Sequence, residues 1–181
     1  MVDMKIRTAT PADADEMVQA RTASWRAAYA GLVDAAVLAG LPEEASERYV
    51  RHLAQKRPLE LTLVAEKGPY VIGFAMFTWD HDEAAEEDAA PGVPGEVQSI
   101  YVHPDHWSRG AGRALMNEGV RWLTEAGLSP VRVWMMEGSE VSGRFYERYG
   151  FEPDGARKTA EISGASIPCR RLTLKRDAPA A

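Results

Sequence analysis

The feature of the sequence that most restricts its fold is a glycine-rich turn between a predicted strand at 96–103 and a predicted helix at 110–126. The first N–H groups of a helix lack intrahelical partners and lie at the positive end of its dipole, so they bind anions. Gly110 and Gly112 carry no side chain where a phosphate must approach the backbone. Two arginines flank these glycines: Arg109 and Arg113. The turn predicts a pyrophosphate site, for which a tight structural connection is the alternative.

Two other phosphate-binding patterns do not match this turn. A dinucleotide-binding turn requires a third glycine and a following parallel repeat, and a nucleoside-triphosphate loop requires Gly-Lys before Ser or Thr. The segment from Trp107 to Leu115 contains neither pattern. The identity of the bound group therefore depends on the rest of the chain.

The order of the predicted elements indicates a mixed α+β fold. Strands are predicted from β-rich, alternating runs and helices from a period of 3.6 residues. The strands are expected at 5–8, 61–65, 70–79, 96–103, 131–136, 156–162 and 170–175. The helices are expected at 10–31, 42–55, 110–126 and 139–149. A crossover helix thus connects the fourth strand to the fifth, after three strands of antiparallel type.

Composition and charge limit the functions that the chain can have. Its 181 residues suit one domain, expected at 1–176 with a disordered tail at 177–181. The formal net charge of −6 argues against nucleic acid and anionic membranes as partners, because both require a basic surface. No apolar run approaches the roughly 20 residues of a membrane span. Cys169 is the only cysteine, so no intrachain disulfide can form, and we expect a cytoplasmic protein.

Two segments together resemble the GNAT superfamily of N-acetyltransferases. In that family a Gln/Arg-x-x-Gly-x-Gly/Ala turn binds the pyrophosphate of coenzyme A, and the residues from Trp107 to Gly112 match it except at Trp107. The segment from Arg144 to Phe151 resembles the closing helix of the family, although Ser139 stands where asparagine is common. The resemblance implies a mixed, mostly antiparallel seven-stranded sheet, flanked by about four helices and splayed between strands 4 and 5.

The resemblance also implies an acetyl-CoA-dependent N-acetyltransferase with roles for particular residues. The acetyl group would pass directly to a primary amine, with Tyr146 protonating the departing thiolate as general acid. Glu96 is the candidate general base, and a surface carboxylate at a strand end is the alternative. Acids of the 80–88 segment could act instead through a water. A stripe of small residues from Ser139 to Tyr146 could hold the pantetheine arm. The expected coenzyme contacts are Ile100, Tyr101, Val102, Ser108, Arg109, Gly110, Ala111, Gly112, Arg113, Ala114, Ser139 and Tyr146.

The amine acceptor is less restricted by the sequence. Trp25 and Tyr29 are candidates for lining its pocket, because the first helices supply that wall in similar enzymes, and core packing is the alternative. The 80–95 loop is acidic and contains no Lys or Arg, so it could attract a polyamine or an aminoglycoside, or simply remain solvated. We expect a small-molecule amine. Acetylation of a protein N-terminus or lysine, and a non-catalytic coenzyme A sensor, are the alternatives.

Metal binding and assembly are the remaining properties that the sequence addresses. We expect no metal ion, because Pro104 keeps His103 and His106 out of a helix and no third ligand is evident. Dimers are common in the GNAT superfamily, so the resemblance also suggests a homodimer to which the last two strands contribute.

Overall fold

The computed structural model describes residues 4–55, 57–162 and 164–175. Within these ranges seven strands form one sheet in the spatial order β1-β2-β3-β4-β5-β7-β6. The strands are β1 (Met4–Thr8), β2 (Leu61–Lys67), β3 (Tyr70–Trp79), β4 (Gly95–Val102), β5 (Val131–Met136), β6 (Phe151–Ile162) and β7 (Ala165–Leu174). The α-helices are α1 (Ala14–Ala28), α2 (Ala35–Ala39), α3 (Glu47–Ala54), α4 (Ala111–Glu125) and α5 (Glu140–Tyr149). The tail predicted at 177–181 lies outside the described residues.

The sheet opens between its fourth and fifth strands. All other neighbouring strands are antiparallel, whereas β4 and β5 are parallel and pair only where Gly95 meets Val131 and Glu96 meets Arg132. Beyond these two pairs the strands diverge, so one edge of β4 has no neighbouring strand up to Val102. The predicted fold class, including the splay, is confirmed.

Helices cover both faces of the sheet because strand residues alternate between them. Val64 and Phe74 lie opposite each other in β2 and β3 and are buried against Met17 of α1. The adjacent pair in the register, Leu63 and Ala75, is buried on the other face with α4. Helices α1, α2 and α3 therefore lie on one face, and α4 and α5 on the other.

The segment between α1 and β2 differs from the prediction. A short helix, α2, was not predicted, and α3 begins at Glu47 rather than near residue 42. The Ser46 hydroxyl accepts a hydrogen bond from the Tyr49 backbone N–H and caps α3. The Pro42 carbonyl accepts a hydrogen bond from the Thr22 hydroxyl of α1 at 2.6 Å, which holds the preceding segment as a loop.

Strand β6 begins five residues before its predicted start. Gly150 adopts a left-handed φ of 109°, which ends α5 and lets the chain enter β6 at Phe151. The Pro153-Asp154-Gly155 sequence is of a kind typical of loops. It instead lies at an irregularity in the pairing with β7, between Pro153 and Arg157. These turn-forming residues interrupt the hydrogen-bonded pairing of β6 with β7 but do not end the strand.

No helix in the described part of the chain is long and apolar enough to cross a membrane.

Replacing Gly119 with alanine should destabilise the protein by about 1–3 kcal/mol. A Cβ at this position of α4 would overlap ring atoms of the buried Phe77. Alanine favours a helix over glycine by about 1 kcal/mol, but this gain is smaller than the penalty of displacing a packed ring. Urea unfolding would measure the change. Asn117→Ala, on the exposed side of the same helix, is the control and should leave stability the same or slightly higher. Equal stability of Gly119→Ala and the wild type would contradict the close contact with Phe77.

Candidate active site

The glycine-rich turn has the backbone geometry of an anion site. Ser108 and Gly110 adopt left-handed φ angles of 58° and 91°, and α4 begins directly afterwards. Left-handed residues between right-handed ones turn N–H groups toward one side. The Ala114 N–H already donates to the Gly110 carbonyl at 2.9 Å. The N–H groups that precede this bond are left without an intrahelical acceptor: those of Ala111, Gly112 and Arg113.

The side chains of this turn divide between the surface and the core. Arg109 and Arg113 are exposed beside the N–H groups, whereas Ala111 is buried, so only its backbone can reach a ligand. A Cβ on Gly112 would lie 3.1 Å from the Phe145 ring of α5. Gly112 therefore also permits the close approach of α4 and α5, a packing role beyond the ligand access predicted for it.

Trp107, the residue that departs from the GNAT pattern, supports the end of β4. Its indole Nε1 donates a hydrogen bond to the Val102 carbonyl at 2.6 Å, and its ring packs against the core. The Trp107 side chain thus stabilises the turn through contacts with the protein core, and it has no charge with which to bind a phosphate. The backbone N–H groups and the two arginines remain as the anion-binding groups of the turn.

Tyr146 is buried between α5 and the diverging strands. Its phenol lies close enough to Tyr29, after α1, and to Tyr101, on β4, to interact with both electrostatically. Since α5 follows β5 in the chain, these contacts extend across the gap between β4 and β5. Burial raises the pKa of Tyr146 above its ordinary value, and the two neighbouring phenols act in the same direction. The phenol therefore keeps its proton and can donate it.

Ser139 caps the start of α5. Its hydroxyl accepts a hydrogen bond from the Ser142 backbone N–H at 3.3 Å and donates one to the Ser142 hydroxyl at 2.9 Å. The Ser142 hydroxyl in turn hydrogen-bonds with the Tyr29 phenol. Three hydroxyl groups thus connect the end of α1 with the start of α5. Ser139 also borders a cavity of about 600 Å³ beside β6 and β7.

A β-bulge in β4 determines which residues share a face. Ser99 lies opposite Met76 and Val97 lies opposite Phe77, which leaves Gln98 as the extra residue. Val97 and Phe77 are buried on the α4 face. In a regular strand Glu96 and Ser99 would lie on opposite faces, but the extra residue brings both onto the α1 face, together with Tyr101. The predicted base and the middle of β4 therefore face the same space.

Glu96 has the protonation behaviour of a general base near neutral pH. Burial raises its pKa to about 7, and the nearby Asp80 and Asp82 carboxylates act in the same direction. The Lys158 ammonium group and a hydrogen bond from the His81 backbone N–H oppose this rise. A carboxylate with a pKa near the working pH can both accept a proton from an amine and release it again. Glu96 is half-buried rather than exposed, and its role as a base remains a prediction.

The acids at the start of the 80–95 loop are bound to cations from distant strands. The buried Asp80 carboxylate is 3.0 Å from the Arg132 guanidinium, which also contacts Glu83 at 2.7 Å. Asp82 contacts the Lys158 ammonium at 2.6 Å. These contacts connect the loop to β5 and β6. This part of the loop therefore neither offers unpaired carboxylates to a cationic substrate nor remains freely solvated, which were the two alternatives from the sequence.

Trp25 and Tyr29 lie beside each other on the α1 face. Trp25 is buried in the core with α2, and its ring meets the Tyr29 ring edge-on at 4.9 Å between centroids. A cavity of about 420 Å³ opens nearby, between α1, α3, β3 and β4, and neither residue lines it. Their contact with an amine remains a prediction.

Apart from Tyr101, which was predicted as a coenzyme contact, the residues that line this cavity were not predicted to belong to the site. They include Arg21 on α1, Tyr49 on α3, and Ser99 on β4. Tyr49 falls within the helix predicted at 42–55 and Ser99 within the strand predicted at 96–103, and neither was predicted as a site residue. No local signal identifies such a cavity, because its walls come from four elements that are far apart in the sequence. In the described ranges, no group of three or more His, Cys, Asp and Glu side chains forms a metal site.

Comparisons with known proteins agree on one family. The model of the acetyltransferase (GNAT) family matches residues 19–151. The uncharacterized N-acetyltransferase YuaI of Bacillus subtilis is 30% identical over 165 residues, which cover 90% of this chain and 87% of that protein.

Solved structures support the same fold at lower identity. The PaiA N-acetyltransferase of Thermoplasma acidophilum, in complex with coenzyme A, has a TM-score of 0.70 at 19% identity, over 95% of this chain and 99% of that one. YncA of Salmonella typhimurium, with acetyl-CoA, has a TM-score of 0.67 at 21% identity, over 99% of this chain and 97% of that one. The enzyme class predicted from the two motifs, an acetyl-CoA-dependent N-acetyltransferase, is confirmed. The chain belongs to the GNAT family of acetyltransferases.

Proposed function

We propose that the protein transfers an acetyl group from acetyl-CoA to the primary amine of a small molecule by direct attack. The observation that carries this proposal is the protonation state of two groups, one on β4 where it pairs with β5 and one on α5 beside the diverging part of the strands. Glu96 has a pKa of about 7, and Tyr146 is a buried phenol that keeps its proton. One group can accept the proton of an amine and the other can supply one to a thiolate.

The proposed coenzyme site follows β4 and the start of α4. The pyrophosphate would accept hydrogen bonds from the free N–H groups of Ala111, Gly112 and Arg113, with charge support from the two exposed arginines, Arg109 and Arg113. Because β4 has no partner along one edge beyond Glu96, backbone groups of the 100–102 segment are available to the pantetheine arm. The relatives solved with coenzyme A and acetyl-CoA support this assignment by their common fold.

The proposed reaction is a single acyl transfer. The neutral amine nitrogen attacks the thioester carbonyl carbon, and a backbone N–H of the 100–102 segment stabilises the developing oxyanion. The C–S bond breaks, and the Tyr146 phenol protonates the leaving sulfur. Before the attack Glu96 takes the proton of the ammonium form, directly or through a water, because an amine of pKa about 10 is otherwise charged at neutral pH. The second proton that the nitrogen loses as the amide forms passes to solvent. Solvent then restores both groups to their starting states.

We assign the acceptor to the cavity between α1, α3, β3 and β4, and this cavity favours a small molecule over a peptide chain. Its volume of about 420 Å³ lies in the range of small-ligand pockets. An extended peptide would need an open groove, whereas helices α1 and α3 form two of the walls here. We therefore propose a small amine as the acceptor, in preference to a protein N-terminus or lysine.

Thiol release from acetyl-CoA against a panel of amines would test this function. The panel contains amino acids, polyamines, aminoglycosides and N-terminal peptides, and release is expected with small amines. Acetyl-CoA alone at 100 times its Kd should raise Tm by about 5–10 °C, because a ligand that binds only the folded state stabilises it. A rise in Tm without release would favour the sensor alternative over catalysis. Release with peptides alone would contradict the small-molecule acceptor, and folded protein with neither signal would contradict the coenzyme site.

A further inference from the structure

The cavity of about 600 Å³ lies between α5 and the strands β6 and β7. Its lining comes from the segment after β5, from one side of α5, and from Arg157 on β6 and Arg170 on β7. Of the residues that the structure describes, neither Glu96 nor Tyr146 lines this cavity, and no residue of the glycine-rich turn does. Ser139 is the one expected coenzyme contact among the described lining residues. A ligand in this cavity would therefore be separate from the proposed acceptor and from the pyrophosphate of the coenzyme.

Two arginines of the cavity wall lie directly opposite each other in the sheet. Arg157 of β6 and Arg170 of β7 are partners in the antiparallel register. Arg170 is also the partner of Met135 in β5, which is buried on the α4 face, so both arginines lie on the face that α5 covers. Like charges directly opposite each other destabilise a sheet. The fold thus keeps two positive charges together at a place where opposite charges would be more stable.

The two arginines differ in their partners. The Arg157 guanidinium is 2.7 Å from the Glu137 carboxylate. Arg170 is half-buried, its Nε atom is buried without a hydrogen-bond partner, and it forms no ion pair with any residue in the described ranges. Its guanidinium lies against α5, because a Cβ on Gly143 would be 3.7 Å from its Nη2 atom. A buried N–H donor that has lost its water and has no acceptor is costly, so this position favours a ligand that accepts hydrogen bonds.

The acids of the cavity wall do not supply the missing acceptor. Glu140 is 2.7 Å from Arg144, which lies one turn later in the same helix. Glu137 is already the partner of the other arginine. Glu147 is exposed, so solvent screens its charge. Among the described side chains of the lining, Arg170 is therefore the cation that no carboxylate neutralises.

We propose that this cavity binds a small organic oxyanion, with Arg170 as its main ligand and Arg157 beside it. A guanidinium group binds a carboxylate or a phosphate through two parallel hydrogen bonds, and the buried Nε–H of Arg170 is one of its donors. The bound anion would also offset the repulsion between the two opposite arginines. The volume of about 600 Å³ suits a small molecule. This site is independent of the proposed acetyl transfer.

Titration followed by NMR tests the site at Arg170 itself, with inorganic phosphate and succinate as the two probes. The Nε–H signal of Arg170, identified by its absence in Arg170→Gln, should shift to saturation with at least one probe, with a Kd of about 0.1–1 mM. The backbone N–H signal of Gly143, which also lines the cavity, reports binding in the variant as well. By this signal the Kd in Arg170→Gln should be about 10- to 100-fold weaker, because a charge-assisted hydrogen-bonded contact is lost.

Two further variants complete the test. Arg148→Gln is the matched control, because Arg148 is exposed on the same helix as Gly143 and is not among the described lining residues, so its Kd should stay within about twofold of the wild type. Arg170→Lys keeps the charge but loses the planar fork, and should weaken binding by about three- to tenfold. If Arg170→Gln does not fold, Arg170→Lys decides, and an affinity equal to that of the wild type would contradict the contact.

The outcomes also identify the chemical group that the cavity accepts. Saturation with succinate alone assigns a carboxylate ligand, saturation with phosphate alone assigns a phosphate, and saturation with both assigns a site for either oxyanion. Wild-type affinity in Arg170→Gln, or no saturable shift of the Arg170 signal with either probe, would overturn the site while leaving the proposed acetyl transfer intact.

Discussion

Replacing Tyr146 with phenylalanine should lower kcat by about 10²- to 10³-fold while acetyl-CoA binding stays nearly unchanged. The change removes one oxygen atom and keeps the ring, which packs edge-on against Phe151 at 5.7 Å between centroids. The lost phenol is the proposed donor to the departing thiolate, a group needed only as the C–S bond breaks. Steady-state rates at saturating acetyl-CoA would measure the loss, and a thermal shift would report on cofactor binding.

Tyr149→Phe is the matched control for this prediction. Tyr149 lies one helical turn later in α5, and its ring is 5.9 Å from the same Phe151 ring. Its hydroxyl has no role in the proposed reaction, so the variant should retain wild-type kcat within about twofold. If Tyr146→Phe behaves like this control in an active preparation, Tyr146 is not the general acid.

Replacing Glu96 with glutamine should lower kcat/KM at pH 7.5 by about 10²- to 10⁴-fold. The wild-type rate should rise with pH through a midpoint near 7, because the carboxylate must be deprotonated to accept the amine proton. In Glu96→Gln this midpoint should disappear. The rate should instead increase steadily toward pH 10 as the amine loses its proton in solution. A variant that keeps the midpoint near 7 would assign that titration to another group.

Lys158 offers an independent control of the same titration. Its positive charge lowers the pKa of Glu96. It also pairs with Asp82, whose negative charge raises the pKa of Glu96. Lys158→Met should therefore move the midpoint to higher pH. Lys175→Met removes an equal charge from an exposed pair with Glu152 and should leave the midpoint unchanged. A shift in both variants would indicate a general charge effect rather than a local one.

The raised pKa of Glu96 also predicts how stability depends on pH. The folded state binds a proton at Glu96 between the ordinary pKa of 4.5 and the raised value of about 7, whereas the unfolded state has released it. The contribution of Glu96 to the free energy of unfolding is thus fully present below pH 4.5 and is lost as the pH rises through 7. Glu96→Gln should have a higher Tm than the wild type at pH 8 and a similar Tm at pH 4.5.

The elements that were predicted correctly are those whose ends are marked by residues with a characteristic backbone conformation, such as glycine. The turn after β4 has Gly110 at a left-handed φ, and α5 ends at Gly150 for the same reason. Such residues act through their own backbone conformation, so the sequence is sufficient to locate them. The start of β6 was predicted five residues late, because Pro153 and Gly155 produce the same signal at an irregular strand pairing as at a loop.

The sequence by itself determined the family, the order of the elements, the anion-binding turn and the candidates Glu96 and Tyr146. Those inferences depend on neighbouring residues, whose spacing is fixed by the covalent chain. Only the tertiary structure decided which distant groups meet. The bulge at Gln98 turns Glu96 toward the α1 face, and Arg132, on a strand more than forty positions later, pairs with Asp80 and Glu83 at the start of the acidic loop. The electrostatic environment of a buried carboxylate depends on distance through space, and a separation in sequence carries no information about that distance.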